Sequence, residues 1–207
     1  MITLAIDCAT EACSVALFDD GALVDGRFAA IGRGHAERLV PMIAELPDKG
    51  RATRIVVSLG PGSFTGVRIG LAAARALGLA WGAEVLGYPT LTLVAAMARA
   101  EQADAGITVC MNGGHGEWFV QNFASTGEAE DEVRSLAPAE AALACRHTIL
   151  AGNRAGALAE QTGDSRQVLD LLPDARAAHL LAPGQLTTTL APIYGRAPDA
   201  RLPQAKP

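Results

Sequence analysis

The amino-acid sequence predicts an α/β fold of two lobes that share one order of elements. Of the 207 residues, 50% are hydrophobic and 19% are charged, a composition that can fill a core without disulfides or bound metals. Three strands, a helix, a strand and a helix are predicted in the first half, and the same series returns in the second half. We therefore expect an N-terminal lobe over residues 1–102 and a shortened C-terminal lobe over residues 103–207.

The strands of the first lobe are predicted from apolar runs and from alternation. Residues 2–7 form an apolar run that ends on Asp7, and residues 13–18 alternate between two faces. The sequence Asp19-Asp20-Gly21 favours a tight hairpin, so residues 22–28 are expected to return as a third strand.

The helices of the first lobe are predicted from spacings of three and four residues. Apolar side chains with this spacing predict a helix over residues 35–46, in which Pro41 is expected to cause a kink. Helix-forming residues without a turn signal predict a second helix over residues 67–80, and Thr90 is expected to cap a third over residues 91–100. Buried strands are predicted at residues 55–59 and 85–87.

The second lobe repeats this order in a weaker form. Its expected elements are strands at residues 107–111, 117–123, 132–135 and 148–151, a turn at 112–116, and helices at 138–144 and 155–162. Residues 183–207 are rich in proline and small polar residues, so the end of the chain is expected to be loosely held.

Charge and cysteine spacing argue against several classes of protein. The 17 Lys and Arg residues and 22 Asp and Glu residues give a net charge of −5, so strong binding of nucleic acid by this chain alone is not expected. The four cysteines lack zinc-site and Cys-x-x-Cys spacing and are interpreted as reduced packing residues of a cytoplasmic protein. The start of the chain does not resemble a signal peptide, and no apolar run has the ~20 residues of a membrane-spanning helix.

A candidate phosphate site follows the first strand, where Asp7 and Thr10 flank a turn. This segment resembles the first phosphate motif of the actin, sugar kinase and Hsp70 (ASKHA) superfamily, in which glycine lets backbone amides approach a phosphate. Here the turn carries Cys8 and Ala9, and the matching position of the second lobe is Asn112 instead of an acid. Asp7 and Thr10 are therefore interpreted as a degenerate nucleotide cleft, with a weak ATP-binding phosphotransferase as the alternative.

The segment Gly60-Pro61-Gly62-Ser63-Phe64-Thr65-Gly66 is the most specific motif of the chain. It fits either a tight structural turn or an anion cradle at the start of the next helix. It is neither a Walker loop nor a nucleophile elbow, and the four histidines lack the spacing of a metalloprotease site. No catalytic residue, metal site or cofactor is therefore predicted, and Ser63 is not expected to act as a peptidase nucleophile.

A docking surface is predicted on the first two helices. The second helix carries small side chains at every fourth position, which either admit another helix or lie on the sheet. A separate face carries charged and large apolar side chains together, a combination that is more common in interfaces than in cores. Its residues are Arg68, Leu71, Arg75 and Leu79. The predicted partner-binding residues are His35, Leu39, Met42, Ile43, Arg68, Gly70, Leu71, Ala74, Arg75 and Gly78.

Three motifs carry a family resemblance. The first is residues 6–17, which read Ile-Asp-x-x-Thr-Glu-Ala-Cys-Ser-Val-Ala-Leu. The second is the pattern His35-x-x-x-Leu39-x-Pro41, and the third is residues 60–70, which begin with the glycine-rich motif. Together with residues 192–196, these motifs resemble the TsaB (YeaZ) family of the bacterial tRNA threonylcarbamoyladenosine machinery. The match is strong over residues 1–93 and weak through the middle of the second half.

The resemblance implies a two-lobed ASKHA fold and a role as a noncatalytic partner of TsaD. In that system TsaD transfers a threonylcarbamoyl group from threonylcarbamoyl-adenylate to N6 of the adenosine next to the anticodon in tRNA, and TsaE joins as an ATPase. The resemblance also implies that the helices over residues 35–46 and 67–80 dock on TsaD, and that this surface forms a homodimer when TsaD is absent. Contact with tRNA is expected mainly through the complex, and no contact with a membrane is expected.

One segment departs from the family pattern. Where the second lobe of the family usually reads Asp-Ala-Arg, this chain has Asn-Gly-Gly-His-Gly at residues 112–116, so the acid and the arginine are missing. Ligands or contacts that depend on those two charges are therefore not expected in the second lobe.

Overall fold

The strands of the protein form two five-stranded sheets in a computed structural model that describes residues 1–195. The first sheet contains β1 (Ile2–Asp7), β2 (Ala12–Asp19), β3 (Ala22–Ala30), β4 (Arg54–Ser58) and β5 (Glu84–Tyr88). The second sheet contains β6 (Ile107–Gly114), β7 (Glu117–Phe123), β8 (Arg134–Leu136), β9 (Ile149–Ala151) and β10 (Gln167–Leu169).

The two sheets have the same topology. Their strand orders are β3-β2-β1-β4-β5 and β8-β7-β6-β9-β10. In each sheet the first three strands are antiparallel, and the last two run parallel to the first. The duplicated α/β architecture predicted from the sequence is therefore confirmed, with β10 as a strand that the sequence patterns did not predict.

Within residues 1–195, five α-helices cover the sheets. They are α1 (His35–Ala44), α2 (Phe64–Trp81), α3 (Thr90–Glu101), α4 (Pro138–Ala144) and α5 (Ala155–Thr162), and short 3₁₀ helices lie at Pro47–Gly50, Ala175–Leu180 and Pro183–Gln185. Apolar side chains of α1 and α2 pack with those of β1, β2 and β4 in the core of the first lobe. The helix α3 lies between the lobes, because Leu93 packs with the first sheet and Leu91 with the second.

Several element boundaries differ from the predicted ones for local reasons. The helix α2 begins at Phe64, earlier than predicted, because the Oγ of Ser63 caps it by accepting a hydrogen bond from the amide of Gly66. The helix α1 continues past Pro41 and ends at Ala44. Thr90 is the first residue of α3 and not its cap, and its hydroxyl lies 2.7 Å from the hydroxyl of Ser58.

After the second lobe the chain returns to the first sheet. The amide of Ala175 donates to the hydroxyl of Ser14 at 2.9 Å, Thr187 forms a β-bridge with Gly87, and the amide of Ile193 donates to the carbonyl of Leu59 at 2.7 Å. The part of the expected loose tail that the structure describes is thus anchored, and residues 196–207 lie outside the described residues. The lobe boundary at 102/103 stays a prediction.

All four cysteines are free thiols, and Cys8, Cys13 and Cys110 are buried. None of the helices within residues 1–195 is long and apolar enough to span a membrane.

Candidate functional site

The glycine-rich motif packs directly on the turn that follows β1. The amide of Ser63 donates to the carbonyl oxygen of Ala9 at 2.6 Å. A Cβ atom at Gly62 would lie 2.0 Å from that same oxygen, and one at Gly66 would lie 2.0 Å from the carbonyl oxygen of Cys8. Only glycine allows this approach, so the motif acts as a tight structural turn. Carbonyl oxygens against both glycines also make the turn a poor anion cradle.

Asp7 is sealed inside the first lobe. Its side chain accepts hydrogen bonds from the amide of Ala9 at 2.9 Å and from the hydroxyl of Tyr88 at 3.0 Å, and the residue is 1% exposed. Burial raises the pKa of Asp7 to about 6, although the hydrogen bonds from Ala9 and Tyr88 lower it. The pKa of Tyr88 is raised by burial and by the neighbouring Asp7. Asp7 is therefore closed off from solvent, and its assignment to a degenerate nucleotide cleft stays a prediction.

A cavity of about 360 Å³, hereafter the interlobe cavity, opens between the lobes. Its wall includes Thr10, Glu11, Ser63, Phe64, Asn112, His115 and Asn153, and among the residues that the structure describes it includes neither Lys nor Arg. Thr10 therefore lines the interlobe cavity, whereas Asp7 does not. Its Oγ1 accepts a hydrogen bond from the amide of Ala12 at 3.2 Å, which fixes the β1–β2 turn.

One amide side chain links the two lobes across the interlobe cavity. The Nδ2 of Asn153 donates to the Oε1 of Glu11 at 2.8 Å, and its Oδ1 accepts from the amide of Asn112 at 2.9 Å. Within residues 1–195, the bond between Asn153 and Glu11 is the one side-chain hydrogen bond that joins residues 1–102 to residues 107–169. No sequence pattern points to this pair, because the two residues are 142 positions apart.

The described residues hold no assembled hydrolytic or metal site. The hydroxyl of Ser63 caps α2, and no histidine among residues 1–195 hydrogen-bonds to it. His35 is buried, and its Nε2 bonds to the carbonyl oxygens of Thr10 and Ala12 at 2.9 and 3.2 Å. No group of three or more His, Cys, Asp or Glu side chains in this part of the chain could hold a metal ion.

The small side chains of α2 lie on the sheet. A Cβ atom at Gly70 would lie 3.6 Å from side-chain atoms of Cys8 and Val57, and one at Gly78 would lie 2.4 Å from Val85. Ala74 is fully buried in the same core. The prediction that these three residues contact a partner helix is therefore wrong, because the sheet already occupies that face.

Four large apolar residues and one histidine of the predicted docking surface are buried as well. The side chains concerned pack in the first-lobe core or against the β1–β2 turn, so a partner cannot reach them in this conformation. They are His35, Leu39, Met42, Ile43 and Leu71. Of the ten predicted residues, Arg68 and Arg75 remain on the surface, half-buried and exposed respectively.

An exposed row of side chains runs along the opposite face of α2. Phe64, Arg68, Ala72, Arg75 and Leu79 recur at spacings of four, four, three and four residues, and we call them the α2 stripe. Phe64 is 67% exposed and Leu79 is 89% exposed. On α1, which packs beside α2, Val40 is 62% exposed. The sequence reasoning missed Phe64 and Val40, two bulky apolar residues that the structure places in solvent.

Comparison with known proteins identifies relatives of this chain. The family model described as "TsaD: tRNA N6-adenosine threonylcarbamoyltransferase" matches residues 29–188. The Escherichia coli (strain K12) protein named tRNA threonylcarbamoyladenosine biosynthesis protein TsaB is 47% identical over 102 residues, which are 46% of this chain and 43% of that protein. The Haemophilus influenzae protein of the same name is 42% identical over 53% of this chain and 50% of its own length. The chain thus spans about half the length of the curated relatives that it matches.

A solved structure covers nearly the whole chain. "YeaZ from Pseudomonas aeruginosa" superposes with a TM-score of 0.78 and 29% identity, over 93% of this chain and 99% of that one. Together with the duplicated sheets, this likeness confirms the predicted two-lobed ASKHA fold class. Because the TsaD model matches most of the chain, the chain belongs to the family which that model describes, and it is similar to the proteins named TsaB and YeaZ.

Proposed function

We propose that this protein is a noncatalytic accessory subunit that docks on TsaD and activates it in the synthesis of tRNA threonylcarbamoyladenosine. The reaction moves a threonylcarbamoyl group from threonylcarbamoyl-adenylate to N6 of the adenosine next to the anticodon. The names of the relatives support the place of the chain in this modification. The observation that carries the docking role is the exposed face of α1 and α2.

That face has the composition of an interface. It places the bulky apolar side chains of Phe64, Leu79 and Val40 in solvent on two neighbouring helices, with arginine between them. Apolar side chains that recur along one exposed helix face mark protein-binding surfaces in soluble proteins. The α2 stripe spans 16 residues, or about 22 Å of helix, which is enough to seat one or two helices of a partner.

The alternative function, a weak ATP-dependent phosphotransferase, has less support. The carboxylate that would hold a metal is sealed behind Tyr88, and the interlobe cavity has no cationic side chain among the described residues to face a triphosphate. A peptidase has still less support, because the hydroxyl of Ser63 serves as a helix cap.

The other expected partners follow from the same proposal. TsaE joins the complex as a further subunit, tRNA is contacted mainly through the complex, and the face formed by α1 and α2 pairs two copies of the chain when TsaD is absent. The complex works in the cytoplasm and not at a membrane.

Reconstitution tests this function. Purified TsaD and TsaE with threonylcarbamoyl-adenylate and unmodified tRNA are expected to form modified tRNA only when this chain is added, and the chain alone is expected to form none. Equal product with and without the chain would contradict the accessory role. Calorimetry with ATP and magnesium tests the alternative, because tight binding that Asp7→Ala removes would favour the phosphotransferase.

A further inference from the structure

We propose that residues 187–194, hereafter the C-terminal segment, form one edge of the docking surface, and that Phe64, Arg68 and Tyr194 make its main contacts. The partner surface that fits them presents a carboxylate between apolar side chains. This inference rests on the proposed function, since it takes TsaD as the protein that carries this surface.

The C-terminal segment runs alongside the α2 stripe. The Nη2 of Arg68 donates to the hydroxyl of Tyr194 at 2.5 Å, and the Nη2 of Arg75 donates to the carbonyl oxygen of Leu190 at 2.6 Å. The two arginines lie seven residues apart, or about 10 Å along the helix. Since the later arginine bonds the earlier residue of the segment, the segment runs antiparallel to α2 and borders its exposed face.

The C-terminal segment is held firmly where it passes α2. Leu190 and Ile193 pack against the first-lobe core, and the amide of Ile193 donates to the carbonyl of Leu59 at 2.7 Å. The bridge between Thr187 and Gly87 fixes the start of the segment. Tyr194 is therefore positioned before a partner arrives, which lowers the entropy that docking must overcome.

Two exposed aromatic rings and one guanidinium form a cluster at the end of the α2 stripe. The Cζ of Arg68 lies 3.3 Å from the ring centroid of Phe64 and 5.4 Å from that of Tyr194, and the two centroids are 6.5 Å apart. Phe64 is 67% exposed and Tyr194 is 56% exposed, in a chain in which only 4% of residues are aromatic. Tyrosine and arginine dominate the binding energy of protein interfaces, and large aromatic rings supply their buried contact area.

The charges of the two stripe arginines lack acidic partners within residues 1–195. Arg68 and Arg75 donate to carbonyl and phenol oxygens, which do not neutralise a guanidinium. Of the other eleven arginines within residues 1–195, six form salt bridges with carboxylates and five do not; the six are Arg27, Arg54, Arg134, Arg146, Arg166 and Arg176. A protein with net charge −5 thus keeps two unneutralised cations on this face, which complements an acidic partner surface.

Binding of TsaD to the full-length chain tests the inference. The variants are Phe64→Ala and Tyr194→Ala, with Leu143→Ala as the control, since Leu143 is 89% exposed on α4. Truncation of either ring is expected to weaken TsaD binding about tenfold or more, whereas the control binds as the wild type does. Because both rings are mostly exposed, thermal unfolding of the variants is expected to match that of the wild type.

Salt dependence tests the charged part of the surface. Raising the salt from about 0.1 M to about 0.5 M is expected to weaken binding of the wild type more than binding of Arg68→Gln. Equal salt dependence of the two proteins would overturn the carboxylate assignment.

Three outcomes would overturn the inference, and each is distinct. Wild-type affinity in both ring variants would remove the C-terminal segment from the docking surface and leave the proposed function standing. Loss of self-association without loss of TsaD binding would assign the cluster to a second copy of this chain. Failure of the wild-type chain to bind TsaD would contradict the proposed function itself, and the inference with it.

Discussion

Replacing Asp7 by asparagine is expected to change how the stability of the protein depends on pH. The Asp7 carboxyl is 1% exposed and has a pKa of about 6, against an ordinary value of 3.8. The difference of about 2 pKa units corresponds to about 3 kcal/mol, at about 1.4 kcal/mol per unit. Asparagine keeps the shape without the charge, because its Oδ1 can accept from Ala9 and its Nδ2 can donate to the hydroxyl of Tyr88. That hydroxyl can then donate its single proton to the carbonyl of Ile6, which lies 3.2 Å away.

The sign of the effect follows from the raised pKa. Below about pH 4, Asp7 is protonated in both the folded and the unfolded chain, and it adds no cost to folding. As the pH rises from about 4 to about 6, the unfolded chain releases the proton first, so the folded wild type loses stability until its own carboxyl ionises. The Asp7→Asn variant has no carboxyl at this position and therefore does not lose stability in this way. The variant is expected to be up to about 3 kcal/mol more stable than the wild type at about pH 8 and nearly equal to it at about pH 4.

Urea unfolding of both proteins across this pH range measures the difference in the free energy of unfolding. Other acids, such as Asp25 and Asp164, have pKa values lowered by neighbouring arginines, but they are present in both proteins and cancel in the difference. A difference that stays constant from about pH 4 to about pH 8 would refute the conclusion that Asp7 is sealed from solvent.

Two further predictions concern the glycine-rich turn and the link between the lobes. The change Gly66→Ala is expected to lower the free energy of unfolding, measured in urea, by at least about 2 kcal/mol, because the new Cβ would overlap the carbonyl oxygen of Cys8. The change Gly156→Ala, whose new Cβ meets open space within α5, is expected to raise the free energy of unfolding by about 0.5–1 kcal/mol. Equal effects of the two changes would contradict the close packing of Gly66 on Cys8. A double-mutant cycle of Glu11→Ala and Asn153→Ala is expected to give a coupling energy of about 1 kcal/mol in unfolding, whereas purely additive effects would show that the interlobe bond contributes no stability.

Periodicity in the sequence located most of the elements. The predicted limits of the β7 strand and of the α4 and α5 helices match the structure, because each apolar pattern is bounded by a turn or a proline. The strand β10 was missed because it has only three residues, two of them exposed, and is defined by its pairing with β9 and not by its own pattern. Such pairing depends on contacts that no local pattern encodes.

The proposed docking surface was harder to predict than the fold. Spacing shows which side chains share a helix face, but it does not show which face meets the sheet. Gly70 and Leu71 were therefore assigned to a partner although they pack inside the chain, and Phe64 on the opposite face was overlooked. Tyr194 could not be placed on this surface from the sequence, because it reaches Arg68 across 126 positions.

The most direct test of the docking surface is size-exclusion chromatography with light scattering on this chain mixed with the TsaD of the same cell. The two variants are Leu79→Glu on the α2 stripe and Leu143→Glu on α4, which change leucines of the same 89% exposure. A one-to-one complex is expected with the wild type and with Leu143→Glu, and separate elution with Leu79→Glu, because the new carboxylate would be desolvated in an apolar contact and would repel an acidic partner surface. Equal complex formation by both variants, or no complex with the wild type, would contradict docking through this face.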